Sequence, residues 1–171
     1  MTEDAVPGPD PAAAAVAAAY DHLSDASHDG FTPFDRALDG LSGEVAVRKP
    51  AGSPYSPAEV LAHMLFWQQR HLAILDGAPP VPVATAAVGW PSASAADWDG
   101  MVEKYQAGLA RYRAVVAKPA AVARPVREGS SVSAATSTMS MFIHDAHHLG
   151  QIILLRRMLG AWPPPGGGDT W

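Results

Sequence analysis

The chain has 171 residues, 48% of them hydrophobic and 17% charged. That suits one packed domain able to bury roughly 70% of its unfolded surface, and it excludes disorder over most of the length. Its 12 basic and 17 acidic residues leave a formal charge of −5 with no basic run or stripe, so the electrostatic footprint of nucleic-acid binding is missing. Cysteine is absent, which excludes disulfides, Cys-based zinc sites and a cysteine nucleophile and leaves nitrogen and oxygen as the donors for any metal.

Residues 1–10, MTEDAVPGPD, read as a disordered leader of Pro, Gly and acid. They carry no basic segment, and the Ala-rich stretch after them lacks the leucines of a secretion signal. The richest apolar stretch, Leu61 to Leu75, contains His, Gln and Arg, so nothing approaches the ~20 residues of a membrane span. The expectation is a cytoplasmic protein with neither a membrane nor a nucleic acid as partner.

Pro11 suits the first position of a helix, predicted to reach about Ala26. Thr32, Pro33, Phe34 and Asp35 offer a cap, a proline at the first helical position and an acid in the first turn, which predicts a short helix ending at Gly40. Residues 41–55 have no period. Ser56-Pro57-Ala58-Glu59 spells a capping box, so a long helix should open at Pro57 and run to about Asp76, stopped by Gly77 and the pair Pro79, Pro80. The four prolines within 77–93 predict a long loop. A further long helix is expected from Ala95 to Ala117, with Trp98, Met101, Val102, Tyr105, Leu109 and Tyr112 at helical spacing and Pro119 closing it. Residues 118–130 read as a loop, Val132 to Leu159 as the last long helix, stopped by Gly160, and 166–171 as a flexible tail. The fold class is therefore all-α: a four-helix bundle over residues 11–165, with any cofactor site between facing helices.

At about 100° per residue, His144 and His148 lie within about 40° of each other on the last helix, so both rings can address one ion. Spacing alone is equally compatible with a polar patch on an exposed face. Ser137, Met141 and Leu155 share the stripe, however, which turns it inward, and buried neutral imidazoles need partners or a metal. His63 has a comparable apolar setting on the facing long helix, near Val60, Phe66 and Trp67. Three imidazoles leave room for water or substrate, the layout of a catalytic site. Nitrogen donors suit zinc and nickel first, with iron and cobalt next.

His147 lies about 60° from His144 on the side away from His148, which favours helix packing over ligation. Gln151 falls near the histidine face and either orients a ring or simply faces the bundle. Trp67, one turn from His63, can line a pocket, while Trp90, Trp98 and Trp162 read as core or loop anchors. His22, His28 and His71 have no partner at ligand spacing and read as surface or packing residues. His144-Asp145-xx-His148 also resembles a shortened HExxH protease motif. That reading needs a ligand downstream, where only Asp169 is on offer, and Asp145 sits about 100° off the ligand face, so it is expected to face away and supply no general base.

SPAEVLAHM, LDGLSGEVAVRKP and HDAHHLGQIILLRRMLGAWPP resemble the motifs of the DinB-like family over about residues 35–75 and 132–165. The resemblance implies a four-helix bundle with His63, His144 and His148 as first, second and third metal ligands, and His147 and Gln151 at the non-ligand positions of the HxxHHxGQ pattern. The departure from the pattern is Leu149, where arginine is frequent. Similar proteins include metal-dependent transferases and isomerases that use low-molecular-weight thiols of the mycothiol or bacillithiol type, and the resemblance favours a homodimer. Three functions follow as expectations: thiol transfer to an electrophilic small-molecule substrate, hydrolysis by water activated at the ion, and a non-catalytic stress protein whose metal only stabilises the bundle.

Overall fold

The computed structural model describes residues 10–24 and 32–167. The expected leader before Asp10, the expected helix end at about Ala26, His28, Asp169 and the expected tail from residue 168 lie outside them. The described chain is all-α. Its four long helices are α1 (Pro11–Ser24), α4 (Pro57–Leu75), α5 (Trp98–Val116) and α7 (Ala134–Met158), and short ones sit between them: α2 (Phe34–Leu38), α3 (Gly43–Ala46) and α6 (Pro119–Ala123). No strand occurs among the described residues, only an isolated bridge between Pro125 and Ser133. No described helix is long and apolar enough to cross a membrane.

Local chemistry explains most boundaries. Ser56 Oγ accepts the Glu59 backbone N–H at 3.2 Å and Glu59 Oε2 accepts the Ser56 N–H at 2.8 Å, the expected capping box with Pro57 at the first position. Ser133 caps α7 by accepting the Thr136 N–H. Asp10, read from sequence as the last residue of the leader, caps α1, its side chain accepting the Ala12 N–H at 2.9 Å and its carbonyl the Ala14 N–H at 3.0 Å. The helix predicted from a Thr32 cap starts one residue late, with Pro33 as an N-cap that makes no side-chain bond. Two stretches read as loop contain helix. Pro119 does close α5, but its fixed φ also suits a first helical position and opens α6, while Gly43–Ala46 forms a single turn. Residues 95–97 form a 3-10 turn ahead of α5.

α4 lies against both α5 and α7, α1 packs on α5 and α6, and α2 rests on α7. Phe142 joins three elements through edge contacts with Tyr20 at 5.6 Å and Phe34 at 5.2 Å. Arg156 is buried, and its guanidinium donates to the carbonyls of Ala37, Asp39 and Ala161, tying the end of α2 and the chain after α7 together.

His71 is neither at the surface nor mere packing. It is 8% exposed, with Nδ1 3.1 Å from the Tyr112 hydroxyl and Nε2 2.7 Å from Ser137 Oγ, so it links α4, α5 and α7. Burial pushes its pKa from 6.5 down to about 4. The unfolded chain therefore takes up this proton first, and the stability that the neutral ring contributes is complete above about pH 6.5 and lost as pH falls toward 4. At about 1.4 kcal/mol per pH unit this reaches about 3 kcal/mol. Urea unfolding of metal-free protein at about pH 7.5 and about pH 4.5 should show a smaller acid loss for His71→Leu than for wild type. Equal losses in the two proteins would mean that His71 is not the titrating group.

Candidate metal centre

The capping box starts α4 so that His63 falls two turns in, facing α7, which carries His144 and His148 one turn apart. Their ring centroids are 4.5 Å apart for His63–His148 and His144–His148 and 5.4 Å for His63–His144. One potential ligand atom from each lies within 4.8 Å of those of the other two. His63 and His148 are 7% exposed, whereas the His144 side chain is 29% exposed, so solvent reaches the cluster past His144.

Each of the three rings has its Nδ1 taken by an acceptor. His63 donates to the carbonyl of Gly89 at 2.6 Å, His144 to Asp145 Oδ1 at 3.0 Å and His148 to Gln151 Oε1 at 2.8 Å. A carbonyl, a carboxylate and an amide oxygen can only accept, so the proton sits on Nδ1 and the lone pair of each ring is left on Nε2. Burial is the leading cause that lowers the pKa of His63 and pushes that of His148 to about 4, which keeps both rings neutral. Three imidazoles on facing helices, each with Nδ1 engaged and Nε2 left as the ring nitrogen for a ligand bond, fit one divalent ion and leave further coordination positions open. This donor chemistry is the observation by which the residues present suit a metal.

The 77–93 stretch, expected as a long loop, reaches the site through a 3-10 turn at Ala86–Gly89. A Cβ at Gly89 would meet Trp67 Nε1 at 3.3 Å, so glycine lets this backbone lie close on α4 and hand its carbonyl to His63. Trp67 stands edge-on to His63 at 6.4 Å. Trp90, read as a plain loop anchor, stacks on His63 at 3.8 Å and 16°, with Tyr55 stacked at 3.9 Å on its other face. This sandwich fixes the plane of the His63 ring, and its only sequence signal was an aromatic between Gly89 and Pro91.

Gln151 orients His148, one of the two roles expected for it. His147 does not pack inside the bundle: it is exposed, and its Nε2 lies 3.4 Å from the Gln151 amide nitrogen, one step further from the cluster. The expectation that Asp145 faces away is wrong. Its residue is fully buried between His144 and the Tyr105 hydroxyl, which donates to Oδ2 at 3.0 Å. The bundle encloses α7 on that side too, because α5 packs there. The signal was available, since Asp145 is the one acid within residues 134–158.

An all-α bundle that gathers three histidines between two facing helices defines a class of helical protein with a cluster that could hold a metal ion. The model of the DinB superfamily matches residues 29–152, a span containing all three histidines, and the chain belongs to that superfamily. No curated protein and no solved structure matches it.

Proposed function

We propose that this protein is a metal-dependent enzyme that transfers a low-molecular-weight thiol, of the mycothiol or bacillithiol type, to an electrophilic small molecule, with His63, His144 and His148 as the metal ligands. The observation that carries the reading is the set of three imidazoles whose Nδ1 protons are all committed to acceptors, leaving three Nε2 lone pairs together. A divalent ion held there, zinc or nickel before iron(II) or cobalt, supplies the Lewis acidity that favours a thiolate over a thiol at neutral pH.

The chain contains no cysteine, so the sulfur has to come from a co-substrate. His63 and His148, buried and neutral, hold their Nε2 atoms without competing for protons, and the stack of Tyr55 and Trp90 excludes water from the His63 side. Access past His144 leaves that flank for thiol and electrophile. In the reaction the thiol proton leaves to solvent, a sulfur–carbon bond forms at the electrophile, and the leaving group departs with its electron pair.

The test uses cobalt-loaded protein titrated with a low-molecular-weight thiol, followed by electrophile consumption with and without that thiol. The expected result is a thiol-dependent sulfur-to-cobalt charge-transfer band and turnover only when thiol is present. Turnover without thiol would favour a hydrolase. Metal uptake with no band and no turnover would leave a non-catalytic bundle whose ion only stabilises the fold.

A further inference from the structure

The reading of the three histidines as a metal centre leaves one buried group unused. Asp145 is fully buried on α7, and its two hydrogen bonds come from the His144 Nδ1–H at 3.0 Å and the Tyr105 hydroxyl at 3.0 Å. Tyr105 is itself fully buried, on α5, and burial holds its hydroxyl protonated, so it stays a donor. A carboxylate in this setting costs folding stability, because desolvation outweighs what its two hydrogen-bond donors return. Its geometry nevertheless places it directly behind a ring whose Nε2 faces the other two histidines.

We propose that Asp145 and Tyr105 are a positioning pair for His144, in which the carboxylate fixes the Nδ1–H tautomer and raises the donor strength of Nε2, while Tyr105 holds the carboxylate in register from α5. This rests on the metal-centre reading above and adds the third helix to it: α4 and α7 carry the ligands, and α5 sets the affinity of one of them. His63 leans on a backbone carbonyl and His148 on an amide oxygen, so His144 is the ligand with an acidic side chain behind it. Three imidazole ligands bring no negative charge to a dication inside the bundle, and Asp145 is the acid placed to offset part of it. A carboxylate behind a ligating histidine ordinarily changes metal affinity 10–100-fold.

The experiment measures zinc affinity by competition with a chelating dye, the ligand-field spectrum of the cobalt form and the Tm of metal-free protein, for wild type, Asp145→Asn and Tyr105→Phe. Asparagine keeps the volume and can keep both contacts while losing the charge. Asp145→Asn should weaken zinc binding by about 10–100-fold and shift the cobalt bands, while the metal-free Tm stays equal or rises. Tyr105→Phe strips Oδ2 of its donor and should weaken zinc binding by about 3–10-fold, a fraction of the Asp145 effect, while the metal-free Tm falls. Affinity and Tm therefore move apart in one variant and together in the other, which a merely structural pair does not produce. Affinity of Asp145→Asn within about threefold of wild type overturns the proposal, and if that variant does not fold, the same limit applied to Tyr105→Phe decides. A wild-type protein that takes up no ion overturns the metal-centre reading and this one together, whereas a loaded wild type with unchanged variants overturns only the positioning role.

Discussion

His148→Ala is expected to abolish the thermal stabilisation that zinc or nickel confers on the wild-type protein. His63 stands on α4 and His148 on α7, so an ion shared between them cross-links two helices of the folded state and has no preformed site in the unfolded chain. At a thousandfold excess of free ion over Kd such binding adds about 4 kcal/mol, and for a chain of this size each kcal/mol moves Tm by about 2–4 °C. The wild-type protein should therefore melt about 8–16 °C higher with metal than without it. His63→Ala, which removes the donor from the opposite helix, should lose the same increment. His147→Ala should keep it, because His147 is exposed, meets the cluster only from outside, edge-on to the His148 ring at 5.1 Å and beside Gln151, and is not one of the three histidines whose ring nitrogens converge. Comparing loaded with metal-free protein for each variant cancels packing losses. Equal metal-induced shifts in all four proteins would show that these histidines hold no ion.

Gly108→Ala is expected to destabilise the fold by about 1–3 kcal/mol, although alanine in place of a helical glycine ordinarily gains about 1 kcal/mol. A Cβ on α5 at this position would land in the amide group of Gln68 on α4. Gln68 has no exposed surface, and its Nε2 donates to the Tyr105 carbonyl at 3.0 Å, so it has nowhere to retreat. The glycine thus sets how closely α4 and α5 approach, five residues along α4 from His63 and one turn from Tyr105. Urea unfolding of Gly108→Ala, of Gln68→Ala and of the pair should reveal a coupling that restores part of the loss in the double variant. Gly150→Ala, where a Cβ meets nothing, should be neutral or stabilising. A Gly108→Ala variant as stable as Gly150→Ala would refute this account of the helix contact.

Much of the candidate site was legible because it rests on short-range geometry. His144 and His148 share a face by helical spacing alone, and the capping box at Ser56–Glu59 settles the start of α4 and hence the register of His63. That the three meet follows from two inward stripes on antiparallel neighbours. Asp145 was misjudged by the same arithmetic: an angle of about 100° from the ligand face implies solvent only if the other side of the helix is bare, and here α5 covers it. His71 was misjudged for the same reason. Its partners Tyr112 and Ser137 come from two other helices, and no spacing within α4 announces them.

The chain's own pattern of caps, prolines and apolar periods decided the four long helices, most of their ends within a few residues and the inward setting of His63, His144 and His148, because these depend on residues within a few positions of one another. Packing alone decided the rest. The 77–93 loop has no periodicity to read, and only contact with α4 brings the Gly89 carbonyl and the Trp90 ring onto His63. The acceptor behind each Nδ1, and with it the tautomer that leaves three Nε2 lone pairs together, belongs to long-range contacts in one case and to side-chain directions in the other two. Those are settled only when the bundle closes and water is no longer there to satisfy the same groups.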